Sequence, residues 1–265
     1  MLIERRTPRK TLVFEGRGLH TGEPVTMTIH PASDGIHFRL GSERTKAAPE
    51  NVSDTTRSTR LGSIGTIEHL MSAFCGLGVT DAEVELTAGE VPGMDGSALP
   101  YVQAMQAEGF EAVGAREMPE LFRRVFFQDN QVSVAVSKGH GSWRYEYLTG
   151  DRWPKEQVWE THQVLEDYSG QVAPARTFAF SEEVPVLLHM GLGQGLDESS
   201  VLILGSEGYE NEARFCDEPA RHKLLDVLGD LYLAGVPANH LSVVATRSGH
   251  KANVKVAGMI LESLS

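Results

Sequence analysis

The chain has 265 residues, of which 41% are hydrophobic and 23% are charged, a composition that excludes a disordered or fibrous protein. Its formal net charge of −12 argues against nucleic acid as a partner, because proteins that neutralise phosphates usually carry a basic excess. The length exceeds the about 100 to 200 residues of a usual single domain, so we predict two domains.

Strand and helix patterns alternate along the first hundred residues. Alternating apolar and polar residues predict strands over 24–31 and 81–87. Between them, apolar residues recur at helical spacing over 66–77, with Thr66 as the predicted N-cap. A second helix is predicted over 99–108.

The stretch 110–119 has little periodic signal, and we place there the boundary between a first domain, residues 1–116, and a second domain, residues 117–265. A strong amphipathic helix is predicted over 218–234. Strand-like runs precede it at Val132, Arg144 and Val201. Because both halves read as strands followed by a helix, we predict an α+β fold of two similar two-layer domains, with the helices packed between the sheets.

Two cysteines, Cys75 and Cys216, lack the spacing of a metal site, and we interpret them as buried free thiols in a reducing compartment. The N-terminal segment lacks the apolar stretch of about 7 to 15 residues that a secretory signal needs. No run approaches the roughly 20 apolar residues that span a bilayer. We therefore expect a cytoplasmic protein.

Two short patterns contain the residue types of a metal site. Glu68 and His69 are adjacent on the first predicted helix, while His222, Asp226 and Asp230 follow one another at four-residue spacing on the last. Two imidazoles and a carboxylate are typical of a zinc site with an open position, where the metal lowers the pKa of a bound water toward about 7. Each pattern alone is more typical of a solvated helix face, and only their combination predicts a metal centre.

The chain resembles the zinc-dependent UDP-3-O-acyl-N-acetylglucosamine deacetylases of bacterial lipid A synthesis. Seven ordered motifs give this resemblance nearly end to end: GLHTG from Gly18, DTTR from Asp54, TIEHL from Thr66, MDGSA from Met94, ARTF from Ala175, RHKLLD from Arg221 and SGH from Ser248. The resemblance implies a hydrolase that removes the N-acetyl group from UDP-3-O-acyl-N-acetylglucosamine and releases acetate.

By match to these motifs, the resemblance implies that His69, His222 and Asp226 bind zinc (Zn2+). Fe2+ would fit the same ligands, because protein metal sites are selected partly by metal availability. Glu68 is implied to activate the zinc-bound water.

The histidine of the SGH motif, His250, is implied to be a second acid/base group, oriented by Asp230. When protonated, it would stabilise the oxyanion and donate a proton to the departing amine. The hydroxyl of Thr177 is implied to assist at the oxyanion. Spacing alone favours a loop histidine and an ordinary strand residue, so both roles depend on the resemblance.

Four residues are implied to contact the substrate. Lys223 and Arg247 match basic positions expected near the diphosphate, and Phe178 matches an aromatic residue near the nucleotide or sugar. His20 lies in a motif near the site. The apolar segment 180–204 is the candidate for a passage that takes the acyl chain.

We expect a monomer that binds a UDP-linked acylated amino sugar, with no nucleic acid and no transmembrane segment; peripheral contact with the inner membrane stays open. Segments 61–66 and 191–197 are shorter than in the family, which leaves the substrate class open. Two alternatives also stay open: a divergent relative that deacetylates another N-acyl amino sugar, and a binding or regulatory paralogue without activity.

Overall fold

The structure is a computed structural model and describes residues 1–121 and 123–264. Two five-stranded sheets, one from each half of the chain, form its framework. The elements of the first half are β1 (Leu2–Pro8), β2 (Leu12–Arg17), β3 (Pro24–His30), β4 (Ile36–Leu40), β5 (Glu43–Lys46), β6 (Val52–Asp54), β7 (Arg60–Leu61), α1 (Glu68–Leu77), β8 (Ala82–Leu86), α2 (Leu99–Glu108) and β9 (Phe110–Glu117). Those of the second half are β10 (Val125–Asp129), β11 (Val132–Lys138), β12 (Ser142–Leu148), β13 (Glu156–Thr161), α3 (Val164–Asp167), β14 (Phe178–Phe180), α4 (Val184–His189), β15 (Leu202–Leu204), α5 (Glu218–Leu231), β16 (Leu241–Thr246) and α6 (His250–Leu264).

The two halves share one strand order. It is β2-β3-β8-β4-β5 in the first sheet and β10-β11-β16-β12-β13 in the second. In both sheets a late strand, β8 or β16, lies between two hairpins. It pairs antiparallel with the neighbouring strand of the first hairpin and parallel with that of the second. In both, one helix precedes the late strand and another follows it. The predicted α+β fold of two similar halves is confirmed, and we call residues 12–108 the first repeat and residues 125–264 the second repeat.

The equivalent helices α1 and α5 pack against each other in the middle of the molecule. All residues of α1 are buried, and α5 leaves only Arg221 and Lys223 partly exposed. At Gly229 of α5 the two backbones are so close that an added Cβ would overlap the carbonyl oxygen of Glu68. Glycine is therefore needed at this crossing, which joins the repeats.

The structure corrects one predicted boundary of the two central helices, α1 and α5, and agrees with another. Helix α1 begins at Glu68 after Ile67, which makes no side-chain cap, so the prediction of Thr66 as the N-cap is wrong. Thr66 instead adopts a left-handed backbone (φ 58°), and its hydroxyl donates to Oε1 of Glu90 at 2.7 Å. At the other helix, α5 continues into a 3-10 turn that ends at Gly235, as predicted.

Among the elements that the sequence did not predict are β9 and α6. The stretch with little periodic signal contains β9, which pairs antiparallel with β1 at the start of the chain. Most side chains of β9 are exposed, so it has no apolar alternation, and its pairing partner is distant in sequence. The proposed boundary at 116/117 falls at the end of this strand and stays a prediction. Helix α6, which begins at His250, was not predicted either.

The cysteine interpretation is correct for Cys75, which is buried, and wrong for Cys216, which is exposed. Cys216 lies in the connection just before α5, where its side chain contributes nothing to the core. Among the described residues, none of the helices combines the length and the apolar character needed to cross a membrane.

Candidate metal centre and active site

Two buried histidines and a buried aspartate meet between α1 and α5. His69 is the second residue of α1, and His222 and Asp226 lie one turn apart on α5. Oδ1 of Asp226 is 3.5 Å from Nε2 of His222 and 3.8 Å from Nε2 of His69. One ligand atom from each residue lies within 4.8 Å of the other two, so the group can hold a metal ion. The structure thus brings the predicted ligands together.

The donor atoms of this cluster suit a divalent cation. Oδ1 of Asp226 is buried and has no hydrogen-bond partner among the described residues, while its Oδ2 accepts from Nζ of Lys223 at 2.9 Å. Nδ1 of His222 donates to the carbonyl oxygen of Ala175 at 3.1 Å, which leaves Nε2 with a lone pair toward the cluster. Burial lowers the pKa of His222, and burial together with His222 lowers the pKa of His69 to about 3. Both imidazoles are neutral, as metal ligation requires.

Glu68 lies beside the cluster and is also buried. Its Oε2 accepts from the backbone N–H of Thr59 at 3.0 Å, and its Oε1 is 3.8 Å from Nε2 of His250. Burial raises the pKa of Glu68 to about 8; the charge of His250 opposes this shift and that of Asp230 adds to it. In its ionised form this carboxyl group can take a proton from water, and its raised pKa makes it a stronger base than an ordinary carboxylate.

His250 is the first residue of α6 and faces Asp230 on α5. Its Nδ1 donates to Oδ2 of Asp230 at 3.0 Å, because an ionised carboxylate can only accept. Asp230 also accepts from the hydroxyl of Thr59 at 2.6 Å and from the amide of Asn253 at 2.9 Å. Burial favours the neutral imidazole, but the charges of Asp230 and Glu68 outweigh it and raise the pKa of His250 to about 9. His250 is therefore protonated at neutral pH.

A cavity of about 370 Å³ opens at the cluster. The three ligands, Glu68 and His250 belong to its lining. Much of the apolar part of the lining comes from segment 180–204, the predicted acyl passage. The apolar lining residues include Leu19, Phe180, Leu187, Leu192, Leu196 and Val201.

Most of the predicted substrate contacts line this cavity. Lys223, Phe178, His20 and Thr177 belong to its wall, and Nζ of Lys223 lies 5.5 Å from the centre of the Phe178 ring. Arg247 is half-buried at the end of β16 and is not part of the lining formed by the described residues. Its proposed contact with the diphosphate stays a prediction.

Comparison with known proteins identifies the family. The family model for UDP-3-O-acyl N-acetylglycosamine deacetylase matches residues 5–262. The chain belongs to this family of deacetylases. It is 34% identical to the UDP-3-O-acyl-N-acetylglucosamine deacetylase of Chromobacterium violaceum, over 99% of this chain and 90% of the relative. The relative of the same name from Cellvibrio japonicus is also 34% identical, over 98% and 91% of the two chains, and that from Neisseria gonorrhoeae is 31% identical, over 98% and 89%.

This membership makes the chain an enzyme of the hydrolase class and confirms the resemblance seen in the sequence motifs. The matches cover both repeats and the apolar segment before α5. The shorter segments 61–66 and 191–197 therefore lie inside a chain that matches the family from end to end.

Three residues that the sequence analysis of this deacetylase missed also line the cavity: Arg57, Tyr147 and Arg152. Arg152 is paired with Glu182 and Glu183, whereas Arg57 makes no ion pair with any described residue. Arg57 is the last residue of the DTTR motif, so the motif itself was a usable signal. Tyr147 and Arg152 had no such signal, because they lie outside every matched motif.

Proposed function

We propose that the protein is a zinc-dependent deacetylase that hydrolyses the N-acetyl group of UDP-3-O-acyl-N-acetylglucosamine in lipid A biosynthesis. The observation that carries the proposal is the cluster of His69, His222 and Asp226, flanked by Glu68 and His250 at the end of a half-apolar cavity. The three relatives described above have the name of this activity.

His69, His222 and Asp226 would hold the ion. Two neutral imidazoles and one carboxylate fit zinc, and Fe2+ would accept the same donors. When bound, the ion would polarise the amide carbonyl and lower the pKa of a water molecule in the cavity.

Glu68 and His250 divide the proton transfers. Glu68 takes a proton from the water whose oxygen forms a bond to the acetyl carbon. His250, which is protonated at neutral pH, stabilises the oxyanion and delivers a proton to the nitrogen as the C–N bond breaks. Thr177 donates its hydroxyl to the same oxyanion. The products are acetate and a free amine.

The cavity walls suit the remaining parts of the substrate. Leu187, Leu192 and their apolar neighbours would contact the 3-O-acyl chain, and each buried methylene contributes about 0.8 kcal/mol to binding. The cations Lys223 and Arg57 would contact the diphosphate, and Phe178 the sugar or nucleotide. These local charges dominate because the remote acidic surface is screened over about 8 to 10 Å.

The test combines metal analysis with an acetate-release assay on UDP-3-O-acyl-N-acetylglucosamine. We expect about one zinc per chain, acetate release that a chelator removes, and recovery when zinc is added. His222→Ala should lose both metal and activity, whereas His140→Ala, at an exposed histidine, should retain both. A wild-type protein that stays metal-free in zinc-replete medium would overturn the proposal.

A substrate panel separates this proposal from its nearest alternative, deacetylation of another N-acyl amino sugar. The apolar wall of the cavity favours the acylated UDP-sugar. We expect faster acetate release from it than from N-acetylglucosamine derivatives that lack the acyl chain or the UDP group. The reverse order would favour the alternative, and no release from any of them would favour a non-catalytic paralogue.

A further inference from the structure

Thr59 contacts both proton-transfer groups of the site without lining the cavity. It precedes β7 and is fully buried. Its backbone N–H donates to Oε2 of Glu68 at 3.0 Å, and its hydroxyl donates to Oδ1 of Asp230 at 2.6 Å. Thr59 therefore contacts Glu68 directly and is linked to His250 through Asp230, which is hydrogen-bonded to the ring of His250.

The carboxylate of Asp230 has each of its oxygens occupied from a different side. Oδ2 accepts from Nδ1 of His250 at 3.0 Å and from Nδ2 of Asn253 at 2.9 Å. Among the described residues, Oδ1 accepts only from the hydroxyl of Thr59. The Thr59 hydroxyl therefore holds the carboxylate oxygen that is not bound to His250 or Asn253.

The backbone of Thr59 is fixed independently of its side chain. Its carbonyl oxygen accepts from the N–H of Ile67 at 3.2 Å, one residue before α1 begins, and its own N–H binds Glu68. Both bonds survive any substitution that keeps the backbone in place. Replacement of the hydroxyl alone therefore removes the hydrogen bond from Thr59 to Asp230, while the backbone N–H of Thr59 still binds Glu68.

We propose that Thr59 is a positioning residue that sets the distance between Glu68 and His250, the first directly and the second through Asp230. The inference rests on the proposed function, because it concerns the two groups that transfer protons there. Thr59 belongs to the first repeat, whereas Asp230 and His250 belong to the second. Thr59 thus links the proton-transfer groups of the two repeats across their junction. Groups that orient an acid/base residue in this way typically change activity by about 10- to 100-fold.

The test compares Thr59→Val, which keeps the shape of the side chain and loses the hydroxyl, with Thr59→Ser, which keeps the hydroxyl. We expect Thr59→Val to lower kcat for acetate release by about 10- to 100-fold, with unchanged KM and metal content. Thr59→Ser should retain most of the wild-type kcat. The control is Thr7→Val, because Thr7 is equally buried and its hydroxyl oxygen also has a hydrogen bond, but it lies on β1 outside the cavity.

Wild-type kcat in Thr59→Val would overturn the inference, and so would a Thr59→Ser variant as slow as Thr59→Val, since packing would then explain both. If Thr59→Val does not fold, the pair Thr59→Ala and Thr59→Ser, which differ only by the hydroxyl, gives the same comparison. Acetate release and metal content of the wild type are measured alongside. Their absence would refute the proposed function itself, whereas an active wild type with an equally active Thr59→Val refutes only the role of Thr59.

Discussion

The two repeats share a strand order but differ in the connection that leads from the second hairpin to the central helix, which is α1 in the first repeat and α5 in the second. In the first repeat this connection is residues 47–67, with β6, β7 and Thr59. In the second it is residues 162–217, with α3, α4 and the two strands of a small parallel sheet. The common part brings α1 and α5 together, while the longer connection builds the apolar wall of the cavity. The shared scaffold therefore places the candidate metal ligands, and the unequal connections give the cavity its apolar wall.

The largest effect on activity should follow from removal of the Glu68 carboxylate, which the first repeat contributes to the site. Glu68→Gln keeps the size of the side chain and an oxygen for the N–H of Thr59, but it cannot take a proton. We expect kcat to fall by roughly 10²- to 10⁴-fold, with metal content unchanged, measured by steady-state kinetics and metal analysis. Glu111→Gln, at an exposed glutamate on β9, is the control. A Glu68→Gln variant with full turnover would show that another group accepts the proton.

The acid/base group of the second repeat should respond in its pH dependence. In the proposed reaction His250 must be protonated to act, and the charges of Asp230 and Glu68 raise its pKa to about 9 against the opposing effect of burial. Asp230→Asn removes one of these charges, so the pKa of His250 should fall. The alkaline limb of the activity profile should therefore move to lower pH. Profiles of kcat/KM against pH measure this shift, with the exposed Asp151→Asn as the control. An alkaline limb that does not move would mean that a different group titrates there.

The junction between the repeats can be tested at Gly229. In Gly229→Ala the new Cβ would overlap the backbone of Glu68, so the helices must separate. We expect the free energy of unfolding to fall by about 1 to 3 kcal/mol in denaturant titrations, with a loss of kcat because Glu68 moves. Gly258→Ala on α6 is the matched control, since a Cβ there meets no atom within 4 Å. That variant should gain up to about 1 kcal/mol.

The smallest effect is expected in the longer connection, on α4. Leu187 lines the cavity, whereas its neighbour Leu188 points outward and is 50% exposed. Each methylene of the acyl chain should raise kcat/KM by up to about fourfold in the wild type, the equivalent of about 0.8 kcal/mol. Leu187→Ser should flatten this dependence across substrates of increasing chain length, and Leu188→Ser should not. Equal slopes in the two variants would place the acyl chain elsewhere.

The sequence predicted the central helices because their spacing is amphipathic and their C-terminal ends contain glycine. It also identified the residues that meet at the candidate metal centre, since motif matches join positions that are distant in the chain. It did not predict β9, whose exposed residues have no alternation, or the start of α6 at His250. Both depend on partners far away in sequence.

The polar contacts around the site were only partly accessible from sequence. The motif matches implied that Asp230 orients His250, and in the structure the two side chains are hydrogen-bonded. The contribution of Thr59 was not predictable, because its hydroxyl reaches Asp230 only after α1 and α5 have packed. A connection without periodic signal gave no indication of such a contact.

The split of the site between the repeats has a consequence for the order of events during translation. His69 leaves the ribosome well before His222 and Asp226 do, and a single imidazole cannot retain a divalent ion. His250 follows later still. Nascent chains and proteolytic fragments that contain only one repeat are therefore expected to be inert, so that the proposed hydrolysis begins only when both repeats have been made and have docked.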